Sequence, residues 1–269
     1  MIIDFHTHVF PDKIASKTID LLASKGGNKP NTDGTVDGLL KAMDRANADI
    51  SVALPVLTKP TQFDSVTNFA LAVNERFKFN DKKIISFGGM HPECDDIEGK
   101  IRFLKDNGFL GFKIHPDYQE TYIDDKRYVK ILECAKEYDM IVVTHSGIDD
   151  GYLGRPVMCP PEKVSEVIKK VNHKKFVLGH YGAHKQWEKV LELLSDFDVY
   201  FDTAFTLHEI DEKLFKKILL SHGEDKILFA TDCPWRDIKE DVEIFKSYNL
   251  PKETEDKILY KNALKLLGI

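Results

Sequence analysis

The chain has 269 residues, a length that permits either two ordinary domains or one large barrel or sandwich. The residues AVILMFWYC make up 42% of it, and with the 16 glycines the apolar share is typical of soluble globular domains, which excludes intrinsic disorder. Thirty-eight Lys and Arg against 44 Asp and Glu give a net charge of −6, the wrong sign for a protein that binds nucleic-acid phosphates or anionic lipids, so we expect neither partner.

The start of the chain and its cysteines predict a cytoplasmic protein. Ile2, Ile3 and Phe5 follow Met1 with no basic stretch and no cleavage site, unlike a secretory signal. No apolar run approaches the ~20 residues that cross a bilayer. The four cysteines are scattered along the chain, at Cys94, Cys134, Cys159 and Cys233. Such spacing is typical of free thiols in a reducing compartment.

Short apolar runs rich in β-branched and aromatic residues predict eight strands. In chain order they are Met1–His8, Asp49–Val56, Lys83–His91, Phe109–His115, Met140–His145, Lys175–Tyr181, Asp198–Ala204 and Lys226–Asp232. Their starts lie about 32 residues apart on average, which is the length of a strand, a helix and two short connections. The chain therefore repeats a strand-helix unit about eight times.

Apolar stripes of helical period fill the gaps between these strands. They run over Val66–Phe77, over Tyr128–Ala135 behind an N-cap at Asp124, over Val164–Val171 behind Pro160-Pro161, over Leu214–Leu219 ahead of Gly223, and over Ile258–Leu267. Alternating strands and helices predict an α/β fold with a parallel sheet, and eight units in 269 residues fit one (β/α)₈ TIM barrel domain covering residues 1–269. An open doubly wound sheet is the alternative, but no G-x-G-x-x-G loop follows the first strand.

Histidines concentrate at the carboxyl ends of the predicted strands. Six of the ten lie within two residues of such an end: His6, His8, His91, His115, His145 and His180. The carboxyl ends of the strands form the rim on which TIM barrels build their active sites. Because imidazole is a common ligand of transition metals and titrates near neutral pH, this placement indicates a functional rim.

A subset of these residues forms a candidate metal-ligand set. His6 and His8 share one face of the first strand, since alternate residues of a barrel strand point the same way. His145, His180 and Asp232 each follow an apolar run directly. One interpretation is purely structural, in which these side chains form hydrogen bonds along the rim. A ring of nitrogen and oxygen donors on four strands instead favours Zn²⁺, Fe²⁺ or Mn²⁺.

Five segments, in order along nearly the whole chain, resemble the signatures of the amidohydrolase superfamily. They are Asp4-Phe5-His6-Thr7-His8, Gly111-Phe112-Lys113-Ile114-His115-Pro116, Thr144-His145-Ser146-Gly147, Leu178-Gly179-His180-Tyr181-Gly182 and Ala230-Thr231-Asp232-Cys233-Pro234. The most similar branch is the amidohydrolase-2 group, whose members are metal-dependent hydrolases, lactonases and nonoxidative decarboxylases of the aminocarboxymuconate semialdehyde and γ-resorcylate types. The resemblance implies an enzyme, and similar proteins are commonly homodimers.

The resemblance implies one divalent cation, Zn²⁺ first with Mn²⁺ or Fe²⁺ as alternatives. Its ligands would be His6, His8, His145 and Asp232. His180 and Asp232 are the implied catalytic residues, with His180 beside the water that the metal activates and Asp232 taking or relaying its proton. The expected function is hydrolysis of a small, carboxylated substrate. Nonoxidative decarboxylation by the same metal site, a carbon-carbon lyase reaction, is the alternative.

Four further residues are predicted to bind substrate: Lys113, His115, His91 and Arg155. Lys113 and His115 both face inward by strand parity. Lys113 is expected to bind a substrate carboxylate, whereas a second metal ion is expected only if Lys113 is carbamylated. His91 could instead bond a neighbouring loop, and Arg155 could be an ordinary surface residue. His184 has no assigned role.

Three histidines lie on predicted helices or back loops and are expected at the surface: His173, His208 and His222.

Overall fold

A computed structural model describes residues 1–269 and contains nine short parallel strands around a barrel. The strands are β1 (Ile3–Thr7), β2 (Ile50–Ala53), β3 (Lys83–Ser86), β4 (Gly88–Gly89), β5 (Gly111–Ile114), β6 (Ile141–Thr144), β7 (Phe176–Leu178), β8 (Tyr200–Asp202) and β9 (Ile227–Leu228). They follow the eight predicted positions, because β3 and β4 together occupy the third one. The protein has the predicted α/β TIM-barrel fold.

Two sheets, ordered β1-β2-β3 and β4 to β9, join to close this barrel. Between β3 and β4, the amide of Phe87 donates to the carbonyl of Ala53 on β2, 2.9 Å away, whereas Gly88–Gly89 pairs with β5. On the other side, the amide of Phe5 donates to Phe229 just beyond β9, also at 2.9 Å. The first and last strands of the barrel are therefore neighbours, as a closed barrel requires.

Helices cover the outside of the barrel. They are α1 (Asp12–Gly26), α2 (Val36–Ala46), α3 (Phe63–Phe77), α4 (Ile97–Asp106), α5 (Lys126–Glu137), α6 (Pro161–Val171), α7 (Trp187–Leu193), α8 (Glu212–His222), α9 (Ile238–Ser247), α10 (Lys252–Asp256) and α11 (Asn262–Leu267). Short 3₁₀ turns lie at Pro60–Gln62, Asp150–Tyr152 and Glu224–Lys226, and a π turn at Lys257–Lys261. None of the helices combines the length and apolarity that a membrane span requires.

The side chains of each barrel strand alternate between two apolar clusters. Val143 of β6 belongs to a cluster inside the barrel, whereas Val142 packs in a larger cluster between barrel and helices. The same alternation turns Phe112 of β5 outward and Lys113 inward. Strand parity thus places Lys113 and the residue that follows it by two, His115, on the interior side.

Local capping sets where several helices begin. Five start at a residue whose side chain accepts a backbone N–H of the first turn: Thr35, Asp96, Asp125, Asp211 and Asp237. The cap of α5 is Asp125 and not the predicted Asp124. Asp124 instead accepts from Lys163 of α6 at 2.6 Å, a long-range pairing that the local sequence pattern does not show.

Of the three histidines expected at the surface, His173 is buried, His222 is partly buried and His208 is exposed. His173 is 5% exposed, and its Nε2 donates to the carbonyl of Met140, 2.9 Å away. The ring of His222 stacks on Phe201 with centroids 3.8 Å apart. His208 lies 2.7 Å from a carboxylate oxygen of Asp241, a fully buried residue. The expectation was wrong for His173, which is buried against Met140, whereas His208 lies at the surface as expected.

Candidate metal centre

A cavity of about 580 Å³ opens at the carboxyl ends of the barrel strands. Seven of the predicted site residues line it: His6, His8, Lys113, His115, His145, His180 and Asp232. Apolar side chains from α1 and α3, among them Leu22, Val66 and Phe69, form much of its outer wall. The cavity therefore has a polar floor on the barrel and an apolar wall on the helices.

His6, His8 and Asp232 form the tightest donor group on this floor. Asp232 Oδ1 lies 3.0 Å from His8 Nε2 and 3.7 Å from His6 Nε2, and the three ligand atoms lie within 4.8 Å of one another. The two histidines leave β1 and Asp232 follows β9, so barrel closure brings residues from opposite ends of the chain together. Burial raises the pKa of Asp232, but the close approach of His8 and His6 outweighs burial and lowers this pKa to about 2.

The outer partners of the two imidazoles show which nitrogens face the centre as lone pairs. His8 Nδ1 lies 2.8 Å from the carbonyl of Leu54, and His6 Nδ1 lies 2.9 Å from Asp202 Oδ2. A carbonyl and a carboxylate only accept, so each Nδ1 carries the hydrogen and each Nε2 is left as an acceptor. The lone pairs of both Nε2 atoms then face Asp232 Oδ1, itself buried without a hydrogen-bond partner. Acceptors that converge in this way fit a divalent cation.

Lys113 occupies the floor beside this group. Its side chain is 1% exposed, and Nζ lies 3.0 Å from His6 Nε2, to which it donates. Burial lowers the pKa of Lys113 to about 8, while the charges of Asp202 and Asp232 oppose this shift. The ammonium form is therefore the majority form at neutral pH, and the cavity floor carries a positive charge.

His145, the fourth predicted ligand, lies outside the group of three and contacts His180. His145 Nδ1 lies 2.9 Å from His180 Nε2, and His180 Nδ1 lies 3.0 Å from the carbonyl of Ala204. The other nitrogen of His145 is buried without a partner, 3.9 Å from Asp117 Oδ2, which is also unpartnered. Burial lowers the pKa of His180 to about 4, so this ring is neutral at pH 7.

His115 belongs to a second donor group on the adjoining floor. Its ring stacks on His145 with centroids 4.4 Å apart and on Tyr118 at 3.9 Å. Asp149 Oδ2 lies 3.6 Å from His115 Nε2, and ligand atoms of His115, His145 and Asp149 lie within 4.8 Å of one another. Burial raises the pKa of Asp149 to about 6. His145 therefore belongs to this second donor group and not to that of His6, His8 and Asp232.

Two candidate catalytic residues have left-handed backbone conformations. The φ angles of His180 and Asp232 are 60° and 69°, a region that costs a non-glycine residue roughly 1–3 kcal/mol. The amide of His180 donates to Asp202 Oδ1 at 3.0 Å, and the amide of Asp232 donates to the carbonyl of His6 at 2.8 Å. These bonds hold the strained residues where their side chains reach the cavity.

Two of the predicted substrate contacts lie away from the cavity. His91 is buried and accepts at Nδ1 from the amide of Glu93, 3.1 Å away, which is the loop bond that the sequence allowed. Arg155 is exposed, pairs with Glu120 at 3.1 Å and lies over the ring of Tyr152. Arg155 lines a separate pocket of about 180 Å³. The geometry therefore gives neither residue a contact with the main floor.

The sequence prediction also missed residues that orient the site. Asp202 is fully buried and holds both His6 and the backbone of His180, and Asp117 faces His145. A signal for Asp202 was present, because it follows the apolar run Val199–Phe201 as directly as Asp232 follows its own strand. No comparable signal marks Asp117, which lies in a loop.

Comparison with known proteins places the chain in a family. The sequence model of the family described as Amidohydrolase matches residues 94–269, about two thirds of the chain. The chain belongs to the amidohydrolase family. No curated protein matches it.

Solved structures share this TIM-barrel fold at low sequence identity. A TIM-barrel protein from Bordetella bronchiseptica has a TM-score of 0.80 and 16% identity, over 99% of this chain and 98% of that one. A dihydroxybenzoic acid decarboxylase from Polaromonas sp. JS666, with bound manganese and 2-nitroresorcinol, gives 0.71 and 16% over 99% and 96%. A Staphylococcus aureus protein described as an amidohydrolase gives 0.72 and 17% over 100% and 99%. The TIM-barrel fold that they share with this chain extends along its whole length.

Proposed function

We propose that this amidohydrolase, as one domain of residues 1–269, is a metal-dependent enzyme that removes CO₂ from a small, hydroxylated aromatic or unsaturated carboxylate. The observation that carries the proposal is the convergence of the His6, His8 and Asp232 acceptors beside the ammonium of Lys113, beneath an apolar wall. The decarboxylase from Polaromonas adds support, because that protein binds manganese and a dihydroxylated aromatic ring.

His6, His8 and Asp232 would hold the cation, and His145 is the fourth ligand that the sequence predicts. A divalent cation supplies positive charge that polarises a substrate oxygen and lowers the pKa of a bound water. His₂Asp donors accept Zn²⁺, Mn²⁺ and Fe²⁺ alike. Zn²⁺ stays the prediction from the sequence, while the manganese of the Polaromonas protein makes Mn²⁺ the first ion to test.

The cavity itself suggests how a carboxylated ring would be oriented. The ammonium of Lys113 attracts an anionic substrate group to the floor, beside the stacked rings of His115 and Tyr118. Val66 and Phe69 provide apolar contact for a ring plane on the opposite side. A cavity of about 580 Å³ accommodates a single substituted ring with room to spare.

Decarboxylation exchanges a carboxyl group for a proton. The bond between the ring carbon and the carboxyl carbon breaks, its electron pair stays on the ring carbon, CO₂ leaves, and a proton takes the vacated position. His180 and Asp232 are the titratable groups that line the cavity next to the centre, and because their pKa values are about 4 and about 2, the proton comes from solvent water at neutral pH. We assign them to relay that proton from water to the ring carbon.

Hydrolysis is the second candidate function, and the state of Asp232 favours it. With its pKa lowered to about 2, Asp232 is a carboxylate at neutral pH and can take a proton from water. A water so activated would attack a lactone or amide carbonyl, and His180 would orient it. Both reactions use the same floor of the cavity. In decarboxylation a ring carbon accepts a proton, whereas in hydrolysis a carbonyl carbon accepts the oxygen of water.

Isotope incorporation distinguishes the two reactions directly. Purified protein is stripped with chelator, reloaded with Mn²⁺ or Zn²⁺, and screened against hydroxylated aromatic acids, unsaturated acids, lactones and amides. Decarboxylation in D₂O places deuterium on the product carbon and releases CO₂. Hydrolysis in H₂¹⁸O places labelled oxygen in the product. We expect the first pattern with an aromatic acid, and activity that chelator removes and added metal restores.

Two variants test the assigned residues. Lys113→Met removes the ammonium and should raise KM for the acid more than it lowers kcat, whereas His173→Gln alters a buried histidine outside the site and should leave both unchanged. Intact mass of the native protein against Lys113→Met shows whether Lys113 carries a carbamate and hence a second ion. Turnover that is indifferent to metal removal would refute the proposal.

A further inference from the structure

A third group of side chains that could ligate a metal lies at the edge of the same cavity, apart from the two donor groups described above. Asp150 comes from the 3₁₀ turn after β6, His184 from the loop after β7, and Glu209 from the loop after β8. One ligand atom from each of the three lies within 4.8 Å of the other two. Three consecutive loops of the rim therefore bring their polar side chains to one point.

His184 is the unusual member of this group. It is 3% exposed, and neither of its ring nitrogens has a hydrogen-bond partner. Its position is fixed by its backbone, because the amide donates to Ser146 at 2.9 Å and the carbonyl accepts from Ile148 at 3.0 Å. A buried imidazole that has lost its hydrogen bonds to water and gained none in the protein is energetically costly. We therefore expect a ligand to bind the ring nitrogens of His184.

The distances around His184 suit a cation better than hydrogen bonds. Its Nε2 lies 3.6 Å from Asp150 Oδ2 and 3.9 Å from Glu209 Oε2, both too long for a hydrogen bond. Two ligands that each bind one ion at about 2.1 Å lie about 3.4 Å apart at the tetrahedral angle, so both distances come within about 0.5 Å of that separation. Both carboxylates face the imidazole nitrogen across the same small gap.

Neighbouring cations already neutralise the two carboxylates. Lys185 Nζ lies 2.8 Å from both oxygens of Asp150 and 3.4 Å from Glu209 Oε2. Arg236 binds the other oxygen of Glu209 at 2.8 Å. The side chain of Lys185 is 38% exposed, so its ammonium can move into solvent. The lysine satisfies the acids in the absence of an ion and leaves His184 unsatisfied.

We propose that Asp150, His184 and Glu209 form a second divalent-cation site, in which the ion displaces the ammonium of Lys185. One imidazole and two carboxylates suit Mn²⁺ or Zn²⁺ better than Mg²⁺ or Ca²⁺, which prefer oxygen ligands alone. An ion here ties together the three loops that form one side of the cavity. The site is independent of the ion at His6, His8 and Asp232 and of the reaction catalysed there.

Counting bound Mn²⁺ tests the proposal without any substrate. Metal-free protein is titrated with Mn²⁺ alone, and free Mn²⁺ is measured by its electron paramagnetic resonance signal. We expect Glu209→Gln to bind one ion fewer than the native protein, and Glu120→Gln, which alters an exposed rim carboxylate paired with an arginine, to lose none. Asp232→Asn should still bind the ion at His184, which separates this site from the main centre.

A variant in the opposite direction guards against loss of folding. Lys185→Met removes the competing ammonium and should tighten the second ion by about tenfold, as expected for one positive charge removed at this distance in a half-buried site. Asp150→Asn replaces Glu209→Gln if circular dichroism shows that the latter is unfolded. Equal ion counts in the native protein and in a folded Glu209→Gln or Asp150→Asn overturn the proposal, as does an unchanged affinity in Lys185→Met.

Discussion

Asp202→Asn tests whether the tautomer of His6 controls metal binding. The carboxylate of Asp202 accepts from the amides of His180 and Ala204 through Oδ1 and from His6 Nδ1 through Oδ2. Asparagine has a single oxygen, which the two amides would keep, so its NH₂ group would face His6 Nδ1. That nitrogen must then accept, and the ring hydrogen moves to Nε2, the atom that faces Asp232.

The expected loss follows from this change of tautomer. Removing the outer partner of a ligating histidine typically costs 10–100-fold in metal affinity. Here the replacement also protonates the ligating atom, so we expect the upper end, about 100-fold, which corresponds to about 2.7 kcal/mol. The fold itself should persist, because the substituted asparagine has nearly the same shape as aspartate and keeps both backbone bonds.

Competition with a chromogenic chelator measures the Mn²⁺ affinity of the native protein and of the variant. Asp241→Asn is the matched control, since Asp241 is also fully buried and bonded to a histidine, His208, that does not line the cavity. The control should bind Mn²⁺ like the native protein. If Asp202→Asn binds within about threefold of the native affinity, well short of the loss typical for a ligand's outer partner, the argument from the tautomer of His6 is wrong.

Two further predictions concern stability. Burial lowers the pKa of His173 to about 4, against 6.5 in the unfolded chain, so unfolding takes up a proton as the pH falls from 6.5 towards 4. Between pH 7.5 and 5, the free energy of unfolding of metal-free native protein, measured by urea titration, should therefore fall by ~2 kcal/mol more than that of His173→Gln. Equal decreases would contradict the burial argument. Gly147→Ala would place Cβ 2.1 Å from the backbone nitrogen of His184 at a φ of 89°, and should lower the free energy of unfolding by about 3 kcal/mol. The control is Gly154→Ala, where φ is 84° and the space around the residue is open, and its expected loss is about 1 kcal/mol. Equal effects of the two alanines, measured by urea unfolding, would mean that the close approach to His184 is not what requires glycine.

The barrel was predictable because its signal is periodic. Eight apolar runs at regular spacing carry it, and each lies at a strand position of the structure. Their ends were predicted too long: the first, Met1–His8, is the strand Ile3–Thr7. A ladder of hydrogen bonds stops where the backbone turns towards the rim, whereas the apolar run continues. The third predicted strand is interrupted at Phe87, because the amide of Phe87 still bonds to β2 while the next two residues pair with β5.

The candidate site was predictable only where its residues follow strands. His6, His8 and Asp232 are brought together as expected, because strand ends meet at one rim. His145 shares the rim but turns towards His180, a side-chain choice that no periodicity encodes. The group around His184 draws on three loops, whose mutual approach depends on the packing of the whole rim. Sequence spacing carries no information about such an approach.

The metal centre can form only after the first and last strands of the barrel have paired. Asp4 on β1 accepts from the amide and hydroxyl of Thr231, and the amide of Asp232 donates to His6, so the two ends of the chain hold the ligands together. A partly folded chain that lacks the last strand has His6 and His8 but no carboxylate opposite them. Contacts so distant in sequence form late in folding. The cation should therefore bind only the closed barrel and stabilise the contact between its first and last strands.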